Sequence, residues 1–157
     1  MGRVIESEEL SRLMEESRSD GLKIVFTNGV FDILHAGHLD YLKKSKKLGD
    51  ILIVGVNTDE SAKAIKGPNQ PFNSEDDRAA LLAGFECVDY VALFSEGTPI
   101  NMISSVRPDL LVKGADYSAD EVVGKAVVES YGGKVKLIPF KEGFSTSSLI
   151  EKIKSGD

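Results

Sequence analysis

Short apolar runs rich in β-branched residues alternate along the chain with stretches of helical spacing. Five of the runs predict buried strands: Lys23 to Thr27, Ile51 to Asn57, Tyr90 to Phe94, Leu110 to Lys113 and Val135 to Phe140. None shows the clean polar alternation of a sheet with one wet face, so helices should cover both sides of a parallel sheet. Helical spacing is clearest over Gly37 to Leu48, with Tyr41, Leu42 and Leu48 on one side, and over Ser74 to Glu86, with Ala79, Leu82 and Phe85. Ser74 followed by Asp77 predicts an N-cap with an acidic third position. Asp120 to Tyr131 predicts a further helix stopped at Gly132-Gly133, and a last one starts near Ser145 with Leu149, Ile150 and Ile153 as its buried stripe. Ser7 to Ser19 reads as an additional amphipathic helix with Leu10, Leu13 and Met14 inward, set against the sheet or a partner subunit. Together these elements predict a doubly wound α/β fold, in which ligands bind at the carboxyl ends of the strands where strand order reverses.

Composition narrows the functional classes. The chain has 157 residues, with 19 Lys and Arg against 25 Asp and Glu, and carries no basic block. A dedicated nucleic-acid surface is therefore disfavoured. No apolar run approaches the roughly 20 residues that span a bilayer, and residues 1–20 hold six acids and three arginines where a signal peptide would need an apolar core. The lone Cys87 permits no internal disulfide and reads as a small buried apolar residue. These features predict a cytoplasmic enzyme or small-ligand binder without nucleic-acid or membrane partners. The Gly- and Pro-rich stretch Lys66 to Pro71 reads as a mobile loop beside the site, and Lys43, Lys44, Lys46 and Lys47 as a solvated helix face.

The chemistry concentrates in Thr27-Asn28-Gly29-Val30-Phe31-Asp32-Ile33-Leu34-His35-Ala36-Gly37-His38, which holds both histidines of the chain. It leaves the first predicted strand and enters a helix, so its polar groups meet a positive helix N-terminus. Two imidazoles three residues apart can share a face, and Gly37 between them permits close backbone approach. Such a pair can donate hydrogen bonds to phosphoryl oxygens as charge develops, without a covalent step. Zinc is a weaker reading, because HxxH supplies two ligands and neither a general base nor a third ligand. There is no GxGxxG after the first strand, no GxxxxGK[ST] and no GxSxG, which disfavours classical NAD binding, P-loop chemistry and serine hydrolysis.

HxGH after a first strand, with a Ser/Thr-rich helix start near the end, resembles the nucleotidylyltransferase superfamily of HxGH proteins, and more narrowly its cytidylyltransferase-like branch. Five blocks in order, TNGVFDILHAGH, NTDES, RAALLAGFECVDYV, RPDLLVKGADY and EGFSTSSLIEKI, resemble the D-glycero-β-D-manno-heptose 1-phosphate adenylyltransferases, the ADP-heptose synthase family. The likeness spans residues 22–154, and residues 1–21 read as a helical extension of a single domain. It implies a Rossmann-like, five-stranded parallel sheet with helices on both faces, and transfer of AMP from ATP with Mg²⁺ to a sugar 1-phosphate. It also implies a homodimer or higher homo-oligomer. At 157 residues the chain leaves no room for the sugar kinase fused to this domain in many relatives, so the kinase and phosphatase steps are expected on separate chains.

The resemblance assigns roles residue by residue. His35 and His38 match the pair that stabilises the phosphoryl transition state. Thr27, Asn28, Gly29 and Phe31 match the loop around the nucleotide phosphates, with Gly37 in the motif. Asp32 matches an acid that contacts metal or acceptor, against the plainer reading of a helix-entry cap. Lys66 falls near a phosphate-binding lysine, with Lys63 as its competitor. Arg78 matches an arginine reaching the active site, against a surface ion pair. Lys113, Gly114 and Asp116 match a nucleotide-pocket wall, while Phe144, Ser145, Thr146 and Ser147 match the second signature at a helix N-terminus. Phe140 stands where glycerol 3-phosphate cytidylyltransferases carry an arginine, Ser147 replaces a threonine, and Val30 stands where a cysteine is common. Met14, Met102 and the aromatic residues other than Phe31 and Phe144, Phe140 included, read as core. A cytidylyltransferase acting on glycerol 3-phosphate and a non-catalytic nucleotide sensor are the alternatives.

Overall fold

The computed structural model describes residues 2–116, 118–141 and 143–156. Tyr117 and Glu142, which fall within two of the sequence blocks quoted above, lie outside the described residues. The chain runs β1 (Arg3–Val4), α1 (Ser7–Ser19), β2 (Ile24–Gly29), α2 (Ala36–Lys46), β3 (Ile51–Asn57), α3 (Asp59–Lys66), α4 (Glu75–Ala83), β4 (Tyr90–Phe94), α5 (Ile100–Val106), β5 (Leu110–Gly114), α6 (Lys125–Ser130), β6 (Lys134–Ile138) and α7 (Thr146–Ser155). All described strand pairings are parallel, in the order β1-β4-β3-β2-β5-β6. The sheet thus has six strands where five were expected. The extra one is a two-residue edge strand, too short to leave a pattern in the sequence.

Alternate residues of each strand enter different cores, as the pleat requires. Ile24, Phe26, Ile51 and Ile53 meet Leu10 and Met14 of α1, Met102, Ile103 and Val106 of α5 and Val128 of α6. Val25, Leu52, Val54 and Val56 meet Tyr41 and Leu42 of α2 and Ala79 and Leu82 of α4. Leu13 packs at the margin of the first core, so the expected inward stripe of the opening helix is present. Two-sided burial explains why the strands read as continuous apolar runs.

Three helix readings change. α4 begins at the expected cap, Ser74 Oγ accepting from the Asp77 N–H at 3.2 Å, but stops at Ala83 before Gly84. The stretch 120–131 splits into a 3₁₀ turn at Ala119–Glu121 and α6, with the break at Gly124 in a left-handed conformation, φ 96°. α7 buries none of its residues, and Ile153 is 70% exposed, so the expected buried stripe of Leu149, Ile150 and Ile153 does not form. The lysines of α2 do face solvent, Lys44 paired with Asp40 and Lys46 with Asp89. Cys87 is partly buried, with burial pushing its thiol pKa up. Among the described residues no helix is long and apolar enough to cross a membrane.

Candidate active site

Strand order reverses beside β2: β3, β4 and β1 lie to one side of it, β5 and β6 to the other. The crevice between the carboxyl ends of β2 and β5 is where such a sheet binds ligands. A cavity of about 290 Å³ lies there, lined by Asn28, Gly29 and Phe31 after β2 and by Lys113, Gly114 and Asp116 after β5. His38, Lys66, Asp32, Thr146 and Ser147 complete the part that was legible in the sequence.

The two histidines cap α2 reciprocally. The Gly37 N–H donates to His35 Nδ1 at 3.1 Å, and the His35 N–H donates to His38 Nδ1 at 3.2 Å. An Nδ1 that accepts carries no proton, so each neutral ring must hold its proton on Nε2. The rings lie 3.9 Å apart between centroids. Burial, and then the neighbouring His35, push the pKa of His38 down to about 4, and burial also lowers that of His35. Both rings are therefore neutral Nε2–H donors at neutral pH. Gly37 makes this fit possible: a Cβ there would lie 2.8 Å from His35 Cε1 and 2.8 Å from Phe144 Cβ. His38 borders the cavity, whereas His35 faces a shallow apolar depression beside it with Leu34, Leu81 and Phe85.

Positive charge converges on the same place from two elements. Lys66, at the end of α3, borders the cavity, and its competitor Lys63 does not. Lys113 donates to the Asn28 carbonyl at 3.1 Å. Burial pulls its pKa down to about 8, opposed by Asp116 and assisted by Lys66. The N-terminus of α7 brings Thr146 and Ser147 to the opposite wall, adding free N–H groups and the helix dipole.

Several expected residues sit beneath or beside the cavity. Thr27 is fully buried and shares a hydrogen bond with the Tyr41 hydroxyl at 2.8 Å, supporting the floor. Ser145 is the cap of α7, its hydroxyl accepting from the Ser148 N–H at 3.0 Å, and Phe144 stacks 6.1 Å from His35. Asp32 turns its carboxylate to the Phe72 and Asn73 N–H groups at 2.6 and 3.0 Å, while its carbonyl accepts from Thr146 Oγ1 at 3.0 Å. It ties the motif loop to the 67–74 loop and to α7, between Phe31 and Ile33 at φ 54° and 47°. Arg78 differs most from its expected reach: its side chain is fully buried, and it is not part of the cavity lining.

Tyr41, Gln70 and Phe140 also line the cavity, and the sequence reading had not placed them in the site. Phe140, expected in the core, is 50% exposed and stacks on Tyr41 with centroids 5.6 Å apart. Its ring lies so close over Gly114 that a Cβ there would meet Phe140 Cε2 at 2.1 Å. Tyr41 follows His38 by three residues on α2, so helical spacing carried a signal for it. Phe140 had only its place just after a strand end.

A switch-point crevice with paired Nε2–H donors, two lysines and a helix N-terminus defines a nucleotidyltransferase. Residues 26–154 match the cytidylyltransferase-like family, and the chain belongs to it. It is 51% identical over 93% of its length to the bifunctional protein HldE of Trichlorobacter lovleyi, and 51% identical over 98% to that of Pseudomonas fluorescens strain Pf-5. It covers 30% and 32% of those proteins, so it spans about a third of their length. Among solved structures it resembles the lipopolysaccharide core biosynthesis protein of Thermoplasma volcanium at 37% identity and TM-score 0.64, covering 77% of this chain and 98% of that one. Pantoate-beta-alanine ligase of Francisella tularensis, at 16% identity and TM-score 0.65, shares the fold, with 99% of this chain and 77% of that one covered.

Proposed function

We propose that this chain transfers AMP from ATP to D-glycero-β-D-manno-heptose 1-phosphate, giving ADP-heptose and pyrophosphate. The observation that carries the reading is the reciprocal histidine cap, which fixes His38 as a neutral N–H donor in the cavity that Lys66 and Lys113 also border. The likeness to the bifunctional HldE proteins, whose C-terminal domain is the heptose-1-phosphate adenylyltransferase, supports the choice of nucleotide and acceptor. Phe140 in the place of an arginine favours it over a glycerol 3-phosphate cytidylyltransferase.

In the reaction an oxygen of the sugar phosphate attacks the α-phosphorus of ATP. The bond from that phosphorus to the bridging oxygen breaks, and pyrophosphate leaves with the electron pair. A phosphate is already a nucleophile near neutral pH, so no general base is required. The protein's work is positioning and charge neutralisation. His38 donates from Nε2 to the oxygens that gain charge, His35 at the cavity's margin holds the His38 ring through its N–H, and Lys66 and Lys113 hold the phosphates. Thr146, Ser147 and the α7 N-terminus receive the leaving pyrophosphate, and Phe140 offers a platform for the base. Asp32 and Arg78 act as positioning residues.

Among the described residues no three His, Cys, Asp or Glu side chains gather into a metal cage. The cavity carboxylates suit magnesium carried in on the nucleotide: Asp32 is committed to backbone amides, which leaves Asp116 as the carboxylate that would face it. Bound there, Mg²⁺ would neutralise triphosphate charge. On this reading a kinase and a phosphatase acting at other sites supply the heptose 1-phosphate, and the enzyme works in the cytoplasm.

The test is pyrophosphate release with Mg²⁺, crossing ATP, CTP, GTP and UTP against heptose 1-phosphate and glycerol 3-phosphate. Turnover is expected with ATP and heptose 1-phosphate alone. Turnover with CTP and glycerol 3-phosphate would overturn the substrate assignment, and silence across the grid would point to a sensor.

The pH dependence of kcat/KM provides a second check. A lysine with a lowered pKa loses its charge earlier as pH rises, so activity should decline above about pH 8 with Lys113. Lys113→Arg, which stays charged, should move that decline to higher pH. His38 stays neutral down to about pH 4 and should contribute no break between pH 5 and 7.

A further inference from the structure

Four rings meet in succession from the core to the surface. Phe31 belongs to the core that the sheet forms with α2 and α4, and its ring lies 5.8 Å between centroids from His38. His38 lies 3.9 Å from His35, and His35 lies 6.1 Å from Phe144, stacked on it at 22°. The first three rings come from one segment, the motif loop and the start of α2. The fourth comes from the approach to α7, far later in the chain, and is 41% exposed, with the Lys141 ammonium 5.5 Å from its centroid. Phe144 was expected with the nucleotide signature, yet it is not part of the cavity lining, which takes Thr146 and Ser147 from the same stretch.

The seat of Phe144 is Gly37. A Cβ on that glycine would lie 2.8 Å from Phe144 Cβ and 2.9 Å from His35 Nδ1, so the missing side chain is what lets the two residues meet. The His35 ring is then held by the Gly37 N–H at its Nδ1 and by two rings, His38 and Phe144. A stacked aromatic neighbour restricts how far a ring can turn. That restriction passes to His38, because the His35 N–H donates to His38 Nδ1 at 3.2 Å and the His35 ring bounds the space in which the His38 ring can move. Phe31 fixes His38 from the core side, and His35, backed by Phe144, fixes it from the outside. The start of α7 has a separate hold on the motif loop, the Thr146 hydroxyl on the Asp32 carbonyl. Docking of the helix and backing of the histidine therefore fall to different side chains and can be told apart.

We propose that Phe144 is a positioning residue: seated on Gly37 and stacked on His35, it holds the histidine pair in the orientation from which His38 donates. Its part in catalysis rests on the nucleotidyl-transfer reading above, whereas its hold on the rings does not. The experiment compares the full chain as wild type, Phe144→Ala and Phe144→Tyr in two measurements. The first is ¹⁵N NMR of the imidazoles at about pH 8, where both rings are neutral and the nitrogen shifts read the tautomer. The wild type should show the Nε2–H tautomer for both histidines. Phe144→Ala should move the His35 nitrogens toward those of a free histidine side chain, and Phe144→Tyr should return them. The second is pyrophosphate release from ATP with heptose 1-phosphate. At saturating ATP, kcat should fall about two- to twelvefold in Phe144→Ala, the range for loss of an aromatic pair, and recover in Phe144→Tyr. Saturating nucleotide keeps α7 seated, so a residue that served only to dock the helix would raise KM and leave kcat unchanged. That pattern, or His35 nitrogens unmoved in Phe144→Ala, would overturn the proposal. Absence of pyrophosphate release by the wild type would overturn the transferase reading, and the spectra would still decide whether Phe144 holds the rings.

Discussion

His38→Ala is expected to lower kcat by about two to three orders of magnitude while ATP affinity falls only a few fold. The range is that found on removing one preorganised donor from an oxyanion-type site. His38 qualifies as such a donor because its orientation is fixed before substrate arrives. The His35 N–H occupies Nδ1, the ring of His35 lies tilted against it at 3.9 Å between centroids, and burial keeps the imidazole neutral. Charge develops on the phosphoryl oxygens chiefly during transfer, so the loss should fall on kcat and leave ground-state binding nearly intact. Steady-state pyrophosphate release and an ATP titration measure the two quantities separately. An unchanged kcat would remove the histidine cap from the mechanism.

The largest effect on stability is expected from Arg78→Ala. The guanidinium is fully buried and uses every arm: Nε donates to the Asn73 carbonyl at 3.0 Å, Nη1 to the carbonyls of Val30 and Asn57 at 2.7 and 2.8 Å, and Nη2 meets Asp59 at 2.7 Å. These partners come from the motif loop, the end of β3, the start of α3 and the loop before α4. Truncation would strand three carbonyls around a cavity beside the 36% exposed Asp59, and unpaired buried acceptors at about 1–3 kcal/mol each, part of them re-paired by water, put the cost at about 3–5 kcal/mol. For a domain of this size that corresponds to a fall in Tm of roughly 6–20 °C. Urea unfolding should show a lower midpoint at an unchanged slope. Arg78→Lys keeps the charge but not the planar fork, and should fall between the two. A midpoint within experimental error of the wild type would refute this role for Arg78.

Arg78 also illustrates what the sequence could and could not convey. Its place in the first turn of α4 was readable from Ser74 and the spacing of Ala79 and Leu82. Its direction was not, because the three carbonyls that receive it converge only when separate strand ends assemble. β2, β3, β4 and β5 were legible for the opposite reason: they are covered on both faces, and that requirement is written locally in Val, Ile and Leu, whereas β6 at the sheet edge exposes Lys134 and Lys136. β1 escaped because two residues cannot show a period. The buried stripe of α7 was misread because its apolar spacing is genuine, while the fold covers Leu149 and Ile150 only in part and leaves Ile153 open.

The histidines, Lys66, Lys113 and the Ser/Thr turn were visible through motif and resemblance. Phe140 was not, since an aromatic residue beside a strand looks the same whether it enters the core or lies over a glycine at the cavity's edge.

α7 carries Thr146 and Ser147 yet buries none of its own residues, and the Thr146 hydroxyl is its hydrogen bond to the motif loop. An element held so lightly detaches at a small fraction of the global unfolding free energy. Triphosphate binding and docking of this helix are then thermodynamically one event. The observed nucleotide affinity is the intrinsic affinity scaled by the fraction of molecules in which the helix is already seated. In the proposed reaction pyrophosphate would depart as the helix lifts, so the same loose attachment that weakens capture would quicken release.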